Sequence, residues 1–233
     1  MRFLMAVAAW AALMIGGHSE AVARDWTRVV VATPVGGYRI GNSAAPVKVI
    51  EFFSLTCPHC RHFTEVGLPP LKSGYISGGK VSLELRNFVL NAPDLAASIL
   101  MRCASPALAV GFFDAVFADQ QAVFAGAQNL GQADADRILA MPLEERAGGL
   151  ARAAKIDSWF IAHGLAASRS AACLADPKGE KRLVAIREDA VKTYDVGGTP
   201  AFVVNGSLVK GTGWDDLEPA IKAALAAQAG VKR

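Results

Sequence analysis

The 233-residue chain is 52% hydrophobic, 19% charged and 8% aromatic, with a formal net charge of +3. This composition is globular and excludes a disordered, collagen-like or coiled-coil chain, and the length, at roughly 150 residues per domain, gives one to two domains with a core that needs no disulfide scaffold. No dense basic run supports nucleic-acid binding, and no long apolar run after the first segment supports a polytopic membrane protein.

The first segment reads as an address. Met1-Arg2 is a short positive start, Phe3 to Ile15 is almost unbroken apolar sequence, and Ala21-Val22-Ala23 fits the small-x-small pattern of a cleavage site. The expectation is a cleavable signal peptide over 1–23, with cleavage after Ala23 and export by the general secretory route to the periplasm. The apolar run is shorter than the ~20 residues of a membrane span, which disfavours the alternative of an uncleaved anchor. Export places the protein where disulfides persist.

Arg28 to Ala32 reads as a short strand, followed by a turn-rich link through Pro34, Gly36, Gly37, Gly41, Asn42 and Pro46. Val47 to Phe53 is nearly all apolar and β-rich, the pattern of a strand buried on both faces. Pro58 suits the first turn of a helix that runs to about Val66, with Gly67, Pro69 and Pro70 breaking or kinking it. Val81 to Val89 is the next strand. Between 92 and 176 the period becomes helical and no convincing strand is found. Asp94 is read as the cap of a helix carrying Leu95, Ile99 and Cys103, and Pro106 opens another. Further helices are expected around 134–140, 143–155, 158–163 and 168–174. Lys178 to Tyr194 is a long amphipathic helix stopped by Gly197-Gly198. Ala201–Val204, Asn205-Gly206 and Leu208–Lys210 form a hairpin, and Trp214 to Ala227 closes the chain as a helix.

Set in order, these elements predict an α/β fold. A four-to-five-stranded mixed sheet flanked by helices is split into 24–91 and 177–233 by a helical insertion over 92–176.

The chemistry centres on Cys57-Pro58-His59-Cys60. A thiol at the junction of a buried strand and a helix meets unpaired N–H groups and the positive end of the helix dipole, which favour a thiolate. Cys57 is therefore the candidate nucleophile and leaving group, with Cys60 one turn inside as its partner in a small-ring disulfide. A partly protonated His59 would favour the Cys57 thiolate further. Two other readings of the pair are a zinc site with Cys57, Cys60 and His62, which lacks a fourth ligand in the pattern, and an inert structural disulfide. Glu51 interrupts an apolar strand, so it is either edge-exposed or buried with a raised pKa; buried near Cys60, it would relay that thiol's proton. Gly198-Thr199-Pro200 lies between a long helix and a strand, where Pro is tolerated at a strand's first position. The sharper reading there is a cis Thr199-Pro200 bond facing the cysteines and presenting Thr199 backbone to an extended substrate. With Cys57 and Cys60 paired, the remaining cysteines are Cys103 and Cys173. Export favours a structural Cys103–Cys173 bond over two separate buried thiols.

The run from Glu51 to Cys60, with Gly198-Thr199-Pro200 downstream and Tyr38–Asn42 leading through Ala45-Pro46 into the strand, resembles the DsbA family of exported thiol–disulfide oxidoreductases. The resemblance covers essentially the whole mature chain. It implies a thioredoxin fold with a helical insertion, a cis Pro200, a nucleophilic Cys57, a resolving Cys60 and a buried Glu51. It implies no cofactor and no metal, and a monomer that donates its Cys57–Cys60 disulfide to reduced exported proteins. It also implies re-oxidation by a quinone-linked membrane partner of the DsbB type. One departure is Thr199, where the best-known oxidases carry Val and the isomerase branch resembles this chain; the same active site would also serve a disulfide isomerase or reductase. A redox-idle peptide-binding chaperone module is the reading from a different class.

Overall fold

The computed structural model describes residues 24–231. The expected signal segment and its cleavage point, residues 1–23, lie outside these. Six strands form one sheet: β1 (Val30–Ala32), β2 (Tyr38–Gly41), β3 (Val47–Phe53), β4 (Val81–Asn87), β5 (Ala201–Val204) and β6 (Ser207–Leu208), in the order β1-β2-β4-β3-β5-β6. β3 and β4 are parallel, joined by a helical crossover, and every other pairing is antiparallel.

β3 is central, and its C-terminal half is covered on both sides, whereas Lys48 near its start is exposed. On one face Phe53 meets Phe113 edge-to-face at 4.9 Å and Phe117 at 6.4 Å. On the other, Phe52 packs against Tyr194 at 5.7 Å and joins a smaller cluster with Phe88, Ala190, Val196 and Val203. The strand thus fixes its C-terminal end, where the cysteines follow, between two cores.

Eleven α-helices complete the described chain. The crossover carries α1 (Pro58–Val66) and α2 (Leu68–Leu71), then a π-helical turn over Lys72–Ile76. Gly67 does not end the helical path: Pro69 and Pro70 fall in the first turn of α2, where missing N–H groups cost no hydrogen bond. Helices α3 (Ala92–Arg102), α4 (Pro106–Ala118), α5 (Gln120–Gln128), α6 (Gln132–Leu139), α7 (Arg146–Ala153), α8 (Ile156–Ala162) and α9 (Ala167–Leu174) make the helical block. The chain returns through α10 (Pro177–Tyr194) to β5, and α11 (Trp214–Val231) packs on the sheet.

Several details correct the sequence reading. The sheet has six strands, because Tyr38–Gly41 is a strand rather than part of a turn-rich link. Its Gly41 has φ +111° and lies so close to Val81 O and Ser82 Cα that a Cβ would crowd both, so glycine is required there. The strand after Lys80 stops at Asn87, and Trp26–Arg28 is a 3-10 turn before β1. Asn91, not Asp94, caps α3: its side chain accepts from Asp94 N at 2.9 Å. Asp195, at φ +58°, ends α10 before Gly197-Gly198 is reached. Finally, Gln120–Gln128 is helical although no helix was expected there.

Cys103, just past α3, is bonded to Cys173 on α9, with Cα atoms 6.1 Å apart and 70 residues between them. A cross-link of that span stabilises a fold by about 4 kcal/mol in the chain-entropy model. Cys103→Ser/Cys173→Ser protein is therefore expected to unfold at clearly lower denaturant, by up to about 4 kcal/mol. An unchanged midpoint would show that the bond constrains nothing.

Candidate active site

Cys57 sits at the N-cap of α1 with extended backbone (φ −80°, ψ 122°), so its sulfur faces the helix's free N–H groups. The Thr199-Pro200 peptide bond is cis and lies against it. The Cys57 thiol donates to Thr199 O at 3.3 Å, across 142 residues of sequence. Thr199 Oγ1 is buried without a hydrogen-bond partner, and its hydroxyl is near enough to the sulfur to favour the thiolate. A hydrogen bond from the Cys60 thiol is the largest influence on Cys57. With the Thr199 hydroxyl and the backbone N–H groups of Cys60 and His59, it outweighs burial and brings Cys57 down to about 5.

Cys60 is the opposite case. It is fully buried one turn into α1, and burial first, then the neighbouring Cys57 and, where it is ionised above about pH 8, Glu51 push its thiol well above the ordinary value. One sulfur is thus set to be a thiolate at neutral pH and the other to hold its proton.

Glu51 points from β3 into the core with neither carboxyl oxygen hydrogen-bonded. Burial, and after it Asp114 and Cys57, raise its carboxyl to about 8, while Lys72 opposes them. Lys72 itself pairs with Asp114 at 3.2 Å. The carboxyl is close enough to act on Cys60 electrostatically and is neutral at pH 7, so it holds an exchangeable proton beneath the cysteine pair.

His59 is exposed, and it acts on Cys57 through its backbone N–H; its imidazole is not among the groups that set the thiol's pKa. His62 is also exposed. It faces a pocket bordered by Phe63, Val66 and Trp214 on the outer side of α1. At Gly198 an added Cβ would meet nothing within 4 Å, so packing does not demand a glycine there.

The structure adds three residues that the sequence reading did not place at the site. Gln120, at the start of α5, is buried and donates its amide to Leu55 O at 2.8 Å and Cys57 O at 3.1 Å. Asp94 accepts from Leu55 N at 3.0 Å and Leu90 N at 2.9 Å, tying the loop before Cys57 to the loop before α3. Burial raises its carboxyl to about 6 against these bonds and those of Ser54 and Ser98. Asn91 Nδ2 donates to Thr56 Oγ1 at 2.9 Å. The helical block thus grips both sides of the segment 54–57. A buried glutamine near a helix start carries no sequence signal for partners more than 60 residues away. Asp94 was noticed only as a cap.

The chain matches a family model described as Thioredoxin over residues 33–223. It is 31% identical to a protein-disulfide isomerase of Novosphingobium aromaticivorans of known structure. That similarity covers 80% of this chain and 96% of the other, with a TM-score of 0.74. Alpha-DsbA1 of Wolbachia pipientis shares the fold at 21% identity and a TM-score of 0.64, over 87% of this chain and 96% of that one. A Rickettsia prowazekii protein provisionally named a protein-disulfide oxidoreductase is 28% identical over 188 residues, 80% of this chain. The chain spans about 60% of the length of that relative.

Proposed function

The chain belongs to the thioredoxin family, and on that footing we propose that it is a protein dithiol–disulfide oxidoreductase that donates its Cys57–Cys60 disulfide to reduced exported proteins in the periplasm. The observation that carries this reading is the inequality of the two sulfurs, Cys57 at about 5 and Cys60 well above the ordinary value.

In the donating direction, a client thiolate attacks Cys57 Sγ of the disulfide, forming a mixed disulfide and releasing Cys60 as thiolate. Cys60 takes up a proton, which neutral Glu51 is placed to supply. A second client thiolate then attacks the client sulfur of the mixed disulfide and expels Cys57. The client leaves oxidised, and the protein is left with a Cys57 thiolate and a Cys60 thiol. Cys57 is the better leaving group because its thiolate is the stabilised one. Thr199 O and the edge of the cis-peptide loop offer backbone to an extended client segment. We assign re-oxidation to a quinone-linked membrane protein of the DsbB type, and export to cleavage after Ala23.

The size of the bias follows from the pKa. At pH 7 a thiol at about 5 stabilises the reduced form by about 3 kcal/mol over an unperturbed thiol, or about 60 mV for a two-electron couple. The sign is that of a depressed pKa: the stabilisation is complete above the ordinary thiol value and is lost as pH falls through about 5. The similarity to a protein-disulfide isomerase favours a second reading, the same exchange run to shuffle client disulfides.

Single-turnover mixing of the oxidised protein with a reduced two-cysteine peptide separates the two. Oxidation of the peptide in step with loss of the Cys57–Cys60 bond is the expected result. Rapid reshuffling of a scrambled client by the reduced protein, with negligible net oxidation by the disulfide form, would assign it to isomerisation. For the location, exported protein beginning at Arg24 in the periplasmic fraction is expected; full-length protein in the cytosol would overturn it.

A further inference from the structure

The outer face of the sheet, away from the cysteines, carries a cleft of about 740 Å³ whose charges do not balance. Strand alternation and register put Arg39 and Gly41 of β2, Ser82, Glu84 and Arg86 of β4, and Lys48 and Ile50 of β3 on this face. Ser82 lies between Gly41 and Lys48 in the register, and Arg39 lies opposite Glu84. Arg39, Ser82 and Lys48 all line the cleft, with Ser82 on its floor and the two cationic residues on the strands to either side. With neighbouring strands about 4.8 Å apart, both long side chains reach the space above Ser82.

Glu84, the carboxylate lining the cleft, is already committed. Its Oε1 accepts from Thr33 Oγ1 at 2.7 Å and Arg86 Nε at 2.9 Å, and its Oε2 from Arg86 Nη2 at 3.3 Å. Asp189, at the rim, pairs with Arg86 Nη1 at 3.3 Å. These ion pairs include neither Arg39 nor Lys48. Arg39 Nε is buried and has no hydrogen-bond partner. A buried guanidinium N–H without an acceptor is costly, and the acidic side chains next to it are in use. Tyr194 also lines the cleft and brings a phenol hydroxyl rather than a carboxylate.

We propose that this cleft is a binding site for a phosphate-type oxyanion, held by the Arg39 guanidinium, the Ser82 hydroxyl and the Lys48 ammonium. The guanidinium offers a planar pair of donors, the hydroxyl one from the floor, and the ammonium one from the far wall. Donors arriving from three directions suit a tetrahedral, multiply charged anion better than a flat carboxylate. The site is independent of the redox reading. It lies at the β3 positions before Glu51, whereas the cysteines follow Phe53, and neither reading falls with the other.

The test is titration of the full protein with sodium phosphate at ionic strength held constant with sodium chloride. It is followed by amide chemical shifts and by the melting temperature. Saturable shifts confined to Gly41, Ser82, Glu84 and their neighbours, with a saturable rise in melting temperature, are expected. Arg39→Met and Lys48→Met should each weaken binding about tenfold, while Arg137→Met, which removes an exposed cation on α6, should leave it unchanged. Should either variant fail to fold, the wild-type shift map alone decides. Shifts that do not saturate, or that are scattered over all basic surfaces, would overturn the site. So would equal weakening by Arg137→Met. Acetate binding as tightly as phosphate would overturn the tetrahedral assignment.

Discussion

Cys60→Ala protein is expected to accumulate mixed disulfides with reduced clients once its remaining thiol is activated as a disulfide, whereas Cys57→Ala protein should form none and should oxidise clients no faster than background. The asymmetry is positional. Cys57 lies at the start of α1 against Thr199, and Cys60 is fully buried one turn further on, where an incoming client sulfur cannot reach it without opening the core. At about 5, Cys57 is almost wholly thiolate at pH 7, against a few per cent for an ordinary thiol near 8.5. Cys60→Ala also removes the largest influence that lowers Cys57, so the Cys57 pKa should rise in that variant while trapping persists. Equal trapping by the two variants, read on non-reducing gels and by mass, would refute the assignment of roles.

The second large effect is on stability. Phe53→Ala is expected to cost about 3–5 kcal/mol, which for a domain of ordinary stability removes a large share of the total. Phe53 is completely buried, stacks edge-to-face with Phe113 and lies near Phe117, which also contact each other at 4.9 Å. Truncation would leave a cavity at the junction of sheet and helical block. Its backbone also holds the next loop, since Phe88 N donates to Phe53 O at 2.6 Å. Urea melts of both proteins in the same redox state measure the loss. A cost below about 1 kcal/mol would mean that the core closes over the gap and that β3 is not the rigid support described above.

The parts of this structure that are legible in sequence are those whose signal is local. The run Val47–Phe53 reads as a central strand from its β-rich, largely apolar residues, and it is doubly covered at Phe52 and Phe53, while Lys48 stays exposed. Pro58 and Pro106 mark helix starts because φ and the missing N–H suit them, and Asn205-Gly206 marks a hairpin through its positive φ values of 46° and 89°. Tyr38–Gly41 escaped because a four-residue strand flanked by glycines gives too short an alternation to register. The α3 cap was misassigned because Asn91 and Asp94 are both good capping residues three apart, and only the fold shows that Asp94 turns inward to Leu55 and Leu90. The pair Cys57 and Cys60 and the carboxylate Glu51 could be singled out by chemical type and place. Gln120 could not, because its role exists only once α5 is laid across the loop before α1.

The most direct test of the central claim, that Cys57 is a stabilised thiolate that makes its disulfide a donor, is the reduction potential of the pair. It is measured against glutathione between pH 6 and 7, in the folded protein and in denaturant. With Cys57 ionised, Cys60 protonated and Glu51 protonated in this range, reduction takes up one proton per two electrons. The potential should then fall by about 30 mV per pH unit, and at pH 7 it should lie about 60 mV above that of the unfolded pair. A folded potential equal to that of the unfolded pair, falling by about 60 mV per pH unit, would show two ordinary protonated thiols and contradict the account.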